Sequence, residues 1–239
     1  MCGRYALFSD PDELAEAFDL VAADIDPTYN AAPSQDLPVI LDESPDRLAT
    51  ARWGLVPEWS DGPRADPDPI NARAESLTET RHFRAAYEQR RCLVPVDGFY
   101  EWVEGESVSD AGTGGGKTPY FVSRADDRPF VLAGLWETWT PEQTQTGLGE
   151  FGGGGDGPAR EAETVRSFTV VTTEPNDFLA DYHHRMAVCL DRDAGERWLT
   201  EDDPRDLLEP RAFDLEAWPV SRAVNDPSND RPALVEPTP

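Results

Sequence analysis

Lysine is almost absent from this chain. Of the 21 basic side chains in its 239 residues, only Lys117 is a lysine and the other twenty are arginines, set against 47 acidic side chains. The formal net charge of −26 excludes a protein that finds nucleic acid through a broad cationic face, although a local basic site is still allowed. An acidic, lysine-poor surface stays hydrated where salt screens its self-repulsion, which points to a salt-rich, halophilic cytoplasm. Cysteine is nearly as scarce. Cys2, Cys92 and Cys189 form neither a disulfide framework nor a zinc-ligand spacing. Cys92 and Cys189 lie in the apolar runs Cys92–Val96 and Ala187–Leu190 and read as buried small hydrophobes. His183 and His184 have only His82 as a further histidine, so no metal and no other cofactor is expected. Long apolar runs and a signal-peptide pattern are both missing, and the expected location is cytoplasmic with no membrane contact. The segment Gly112–Thr118 brushes against a phosphate-binding loop, but Ala111 stands where its first glycine is required, and it reads as a linker.

What is present reads as many strands and few helices. Asp10 as N-cap, Pro11 in the first turn and Glu13 closing a capping box predict a helix through Leu20. Leu37–Leu41 and Leu48–Val56 predict a strand pair around Ser44-Pro45-Asp46. A helix is predicted over Glu79–Gln89. Strands are predicted at Arg91–Tyr100, Pro119–Ser123, Phe130–Trp136 and Ser167–Thr172, and short helices at Ala194–Leu199 and Arg205–Leu208. Residues 105–116 and 141–163 read as surface insertions between strands. The tail from Asn225, rich in Pro, Asp and Asn, is expected to lack regular structure. The expected architecture is a compact, β-rich α+β fold of mainly antiparallel strands with a few peripheral helices. Residues 1–222 form one domain and 223–239 a tail.

The chemistry centres on Cys2. With Met1 removed, this residue would carry an α-amine and a thiol on adjacent carbons, with ordinary pKa values of about 7.7–8 and about 8.5. Such a pair can condense with an aldehyde as an imine and then close a five-membered thiazolidine ring through sulfur. Further candidates are polar residues set beside apolar or aromatic ones. Asn71 follows Pro69-Ile70, and Glu101 lies in Gly98-Phe99-Tyr100-Glu101-Trp102. Desolvation among those aromatics would raise the pKa of Glu101 and suit it to proton exchange.

Several ordered segments complete the pattern. They are Met1-Cys2-Gly3-Arg4-Tyr5, Tyr29-Asn30-Ala31-Ala32-Pro33, Trp53-Gly54-Leu55-Val56-Pro57 with Trp59, and Ile70-Asn71-Ala72-Arg73-Ala74-Glu75. Arg91-Cys92-Leu93-Val94-Pro95, Gly98–Trp102, His183-His184-Arg185-Met186 and Pro219-Val220-Ser221 follow. Together, over about residues 1–222, they resemble the SRAP family of SOS-response-associated peptidases and abasic-site processing proteins. The resemblance implies a protein that binds single-stranded DNA containing abasic sites and joins Cys2 covalently to them; nothing in the sequence suggests an obligate dimer, so a monomer is expected, associated with the nucleoid when bound. It implies Cys2 as nucleophile, Asn71 as a hydrogen-bonding positioner, Glu101 as proton shuttle and His183 as a helper in sugar opening and imine formation. By the same match, Arg4, Arg73, Arg81 and Arg185 hold phosphates, Trp59 stacks near the lesion, and Asn30 and Pro33 belong to the DNA-binding set. Release of Met1, as an autopeptidase, and a lyase-like β-elimination through the imine are also implied. Ser60 stands where some relatives have a second aromatic, and Ala187 where proline is usual.

Two other classes compete. An N-terminal-nucleophile amidohydrolase of the class II glutamine amidotransferase type also begins Met-Cys-Gly, but the Asn-Gly pair that often supplies its oxyanion site is nowhere in the sequence. A noncatalytic single-strand binding module would leave Asn71, Glu101 and His183 without a role.

Overall fold

In a computed structural model the chain is described over residues 2–65, 69–104, 116–141 and 164–238. Its strands begin with β1 (Tyr5–Leu7), β2 (Thr28–Ala31), β3 (Asp36–Leu41), β4 (Ser44–Trp53) and β5 (Asn71–Arg73). They continue with β6 (Arg91–Val96), β7 (Gly98–Val103), β8 (Thr118–Arg124), β9 (Phe130–Trp139) and β10 (Val165–Thr173). The last are β11 (Met186–Ala187), β12 (Cys189–Leu190) and β13 (Leu215–Pro219). The α-helices are α1 (Pro11–Phe18), α2 (Arg84–Gln89) and α3 (Arg192–Thr200).

Five strands close on themselves. β10 pairs in parallel with β4, β4 antiparallel with β3, β3 with β6, β6 with β9, and β9 again with β10. Closure into a barrel removes the unpaired edges that an open sheet would expose. The first half of β10 completes this ring. Its second half carries β5 in parallel on one side, from Val170↔Asn71 to Thr172↔Arg73, and β11 antiparallel on the other. A second sheet, entirely antiparallel, runs β13-β8-β7-β1-β2. The expected α+β class with mainly antiparallel strands is the observed one.

Alternation along the strands sorts the core. On β6, Cys92, Val94 and Val96 join a cluster with Trp53, Phe168, Tyr5 and Phe99, which binds the barrel to the second sheet. Leu93, between them, faces Trp198 and Leu199 of α3 and Tyr87 of α2. Trp198 Nε1 donates to the carbonyls of Cys92 and Gly134 at 3.1 and 3.2 Å, so the buried indole leaves no orphan donor.

Some elements differ from the sequence expectation, each for a local reason. Arg91–Tyr100 is two strands in two sheets, because the chain turns at Asp97. The Asp97 carboxylate accepts from the backbone N–H groups of Phe8 and Ser9 and from the Ser9 hydroxyl. At Gly98 a Cβ would run into the Phe121 ring and lie 2.5 Å from the Val122 carbonyl oxygen, so only glycine fits this close crossing. The helix expected from Glu79 begins only at Arg84. β-Branched Thr78 and Thr80 disfavour helix, and the segment instead closes separate turns on the carbonyls of Ser76 and Thr80. In the β3–β4 hairpin Leu41 pairs with Ser44 while Ile40 pairs with Leu48, so Pro45, Asp46 and Arg47 bulge out of the ladder within β4. Helix α1 keeps its start signal, Asp10 accepting from the N–H of Asp12 with Pro11 in the first turn, but ends two residues short of Leu20, because Asp19 turns into the left-handed region at φ 54°.

The C-terminal tail is a correction. Residues Arg222–Asn225 and Pro232–Leu234 form 3₁₀ turns, and Val224 and Leu234 are fully buried with Ala6, Tyr100 and Phe121 on the outer face of the second sheet. Trp218 Nε1 donates to the Val235 carbonyl at 2.8 Å, and Thr238 N–H to that of Pro219 at 2.8 Å. Composition hid this, because the polar residues cap turns, as Asp226 does for Ser228, while two apolar anchors hold the segment down. The proposed insertions, apart from Gly116 and Pro141, lie outside the described residues, as does most of the glycine-rich Gly112–Thr118 segment.

Candidate active site

Cys2 is completely buried beside Tyr5 and Trp53, immediately before β1. Burial pushes its thiol up to about 12, and the negative charge of Glu101 pushes the same way, while the backbone N–H of Arg4 partly counters by bonding to the sulfur. Asn71, the first residue of β5, donates from Nδ2 to the Cys2 carbonyl at 2.8 Å. Its own Oδ1 is buried without a hydrogen-bond partner among the described residues. The parallel pairing of β5 with β10 sets the position of Asn71, and the antiparallel pairing of β1 with β7 brings Cys2 toward Glu101.

Glu101 lies on β7 opposite Tyr120 of β8 and is 2% exposed. Burial raises its carboxyl to about 7, the range in which a group exchanges protons readily at neutral pH. His183 precedes β11. Its Nδ1 lies 3.0 Å from both the N–H and the carbonyl oxygen of Arg185, and burial pulls its pKa below the ordinary value. If Nδ1 accepts from the Arg185 N–H, the neutral ring carries its proton on Nε2. His184 stacks on it with ring centroids 4.2 Å apart. The segment is anchored to Glu101's neighbour, since Tyr182 meets Tyr120 edge-on at 5.3 Å. Lys117, the single lysine, acts electrostatically on both Glu101 and His183 and pairs with Glu104 at 3.6 Å.

The residues expected to touch DNA fall into separate places. Trp59, 44% exposed, carries the Arg81 guanidinium 4.0 Å above its ring and meets His82 edge-on at 4.9 Å. Arg73 is exposed at the end of β5. Arg185 is held by Glu75 in a bidentate pair with bonds of 2.6 and 3.0 Å. Arg4 donates to Asn30 Oδ1 and to the Val224 carbonyl at 2.9 and 2.8 Å. Asn30 is 1% exposed, and its Nδ2 reaches the carbonyls of Val224, Asp226 and Asn229. What Arg4 and Asn30 hold in this structure is the C-terminal segment. Pro33 is half-buried just past β2, before Ser34 at φ 69°.

Sequence reasoning assigned nothing to Tyr120, Tyr182, Thr172 or Lys117, and left Glu75 without a role inside its motif. Strand register places Tyr120 and Thr172, the turns Ala74–Ser76 and Leu179–Asp181 place Glu75 and Tyr182, and Lys117 leads into β8; no local pattern signals any of them. Among the described residues no group of three or more His, Cys, Asp and Glu side chains could hold a metal, and no helix is long and apolar enough to cross a membrane.

This chain is similar to the abasic site processing protein YoqW of Bacillus subtilis, with 36% identity over 248 residues covering 99% of both chains. It is also similar to the abasic site processing protein HMCES of Xenopus tropicalis, at 28% identity over 97% of this chain and 77% of that one. A solved structure of a protein from Bacteroides thetaiotaomicron shares the fold, with a TM-score of 0.75 at 23% identity, covering 99% of this chain and all of the other. The family described as SOS response associated peptidase (SRAP) matches residues 1–227, and the chain belongs to it.

Proposed function

We propose that this protein processes abasic sites in single-stranded DNA by closing a thiazolidine ring between Cys2 and the sugar aldehyde. The observation that carries the reading is the buried Glu101 carboxyl, poised near 7 and acting on a buried thiol whose backbone carbonyl Asn71 holds in place. Relatives named as abasic site processing proteins support it.

The reaction begins with hydrolysis of the Met1–Cys2 peptide bond, which frees the α-amine of Cys2. That amine adds to the open-chain aldehyde of the abasic deoxyribose and water leaves, giving an imine. A buried thiol with a pKa near 12 is a poor spontaneous nucleophile, so the ring closes when sulfur attacks the imine carbon as Glu101 accepts its proton. Glu101 then hands that proton to the ring nitrogen, so the carboxylate is regenerated, the thiazolidine is neutral and no further proton is needed. In reverse, Glu101 returns the proton to sulfur and the ring opens. His183, kept neutral by its burial, serves the ring opening of the sugar and the loss of water that forms the imine. Loss of the 3′-phosphate from the same imine by β-elimination gives the lyase-like outcome. Trp59 with Arg81 offers a stacking platform flanked by a cation, and Arg73, Arg185 and Arg4 supply phosphate contacts. Asn30 supports this surface through the C-terminal segment it braces, and Pro33 belongs to the same face by its place just past β2.

The test is denaturing electrophoresis with intact-mass analysis after mixing the protein with single-stranded DNA bearing one abasic site, across a salt series. The expected product is an adduct that lacks the mass of Met1 and one water and is abolished by Cys2→Ala. A wild-type protein verified to be free of Met1 that gives no adduct at any salt refutes the proposal.

A further inference from the structure

Thr172 of β10 pairs with Arg73 on one side and with Ala187 on the other, so β5 and β11 flank it. The side chain of Arg185, just before β11, reaches across this strand. Its Nη2 donates to the Thr172 carbonyl at 2.7 Å, and its two Nη groups then meet both oxygens of Glu75 at 2.6 and 3.0 Å. Glu75 sits in the 3₁₀ turn Ala74–Ser76, directly after the strand that begins with Asn71. On its other side, the Arg185 backbone engages Nδ1 of His183. A single line of bonds therefore joins the segment bearing Asn71 to the imidazole of His183. Arg185 has a side chain only 12% exposed against 50% for Glu75, so the nearly desolvated guanidinium depends on this carboxylate for its counter-charge. Arg185 in turn holds the Glu75 carboxyl below the usual carboxylate range, which keeps it ionised at neutral pH.

We propose that Glu75 is a positioning residue that clamps Arg185 and through it fixes the orientation and tautomer of His183 relative to Asn71 and Cys2. The inference rests on the reaction proposed above, in which His183 moves protons. It gives the pair a role distinct from holding phosphate, because any DNA contact by Arg185 has to share a guanidinium already occupied on both Nη groups.

Two measurements test it. The first is single-turnover adduct formation on abasic single-stranded DNA over a range of protein concentrations, with the Met1-free wild type, Glu75→Gln, His183→Ala and the double variant. Glu75→Gln is expected to lower the limiting rate about tenfold, a part of the roughly 10²–10⁴-fold that a positioned proton-transfer group supplies. The half-saturating concentration should stay within about twofold. In the His183→Ala background the same substitution should change the limiting rate less than about twofold, because the two residues act as one unit. The second is ¹⁵N NMR of the three histidine rings in the DNA-free protein. It should show one dominant His183 tautomer in wild type and a mixture in Glu75→Gln. A limiting rate and tautomer unchanged by Glu75→Gln overturn the proposal, as do equal losses in both backgrounds. A wild type that gives no Cys2-dependent adduct sinks the reaction itself, and the ring spectra then still decide whether Glu75 sets the state of His183.

Discussion

Replacing Glu101 by glutamine should make the protein more stable at alkaline pH and disable it at once. Burial raises the folded carboxyl from an ordinary 4.5 to about 7. At 1.36 kcal/mol per unit this corresponds to about 3 kcal/mol of differential stability between the protonation states. Because the folded pKa is raised, the proton is bound more tightly in the native state. The associated stability is complete below about pH 4.5 and is lost as pH climbs through about 7, where wild type must bury a carboxylate. Glutamine keeps the shape and never ionises. Urea denaturation of wild type and Glu101→Gln at fixed high salt, from pH 4.5 to 8.5, should give nearly equal stabilities at the acid end. At the alkaline end the variant should gain up to about 3 kcal/mol. Adduct formation should fall by roughly 10²–10⁴, the usual worth of a positioned acid–base group. A variant less stable than wild type at pH 8.5, or a stability difference that does not change with pH, would show that Glu101 is not held protonated by its surroundings and would refute the reasoning.

Leu234→Ala should cost about 2–5 kcal/mol in chemical denaturation, because it empties a fully buried position that anchors the C-terminal turns; an effect under 0.5 kcal/mol would mean the tail is not part of the core. Gly98→Ala should destabilise by about 1–3 kcal/mol, since the added methyl meets the Phe121 ring and the Val122 carbonyl at the crossing between sheets. Trp59→Ala should leave the melting temperature nearly unchanged and weaken binding to single-stranded DNA by roughly 1–3 kcal/mol, measured by fluorescence anisotropy; unaltered affinity would remove the stacking role.

Much of this was legible in the sequence where the signal is local. Asp10-Pro11 marks a helix start by its own chemistry. Glu101 among Phe99, Tyr100 and Trp102 already implied a desolvated carboxyl. The closure of the barrel was not legible, because it depends on β10 finding β4 in parallel across more than a hundred residues, and pairing at that range leaves no periodic trace. Asp97-Gly98 was a visible turn signal inside the run Arg91–Tyr100, outweighed by the apolar residues on both sides. Tyr120, Tyr182 and Thr172 escaped notice because each matters only through what the fold places beside it. The Glu75–Arg185 pair, 110 residues apart in sequence, is of the same kind.

The halves of β10 also set where the chain can lengthen. Residues 142–163 are bracketed by Trp139 and Val165, which pair at the beginning of β10, whereas β5 and β11 flank its far end from Val170 to Thr173. Five residues of strand between Val165 and Val170 span about 17 Å. Residues 105–115 are bracketed differently, by the ladder in which Val103 meets Thr118 and Glu101 meets Tyr120, so that they leave the strand two positions from the buried Glu101. Evolution, or an engineer fitting a reporter or a recruitment module, therefore has two unequal doors: length added behind Trp139 enters at the end of β10 away from β5 and β11, whereas length added behind Val103 enters two residues from Glu101 on the same strand.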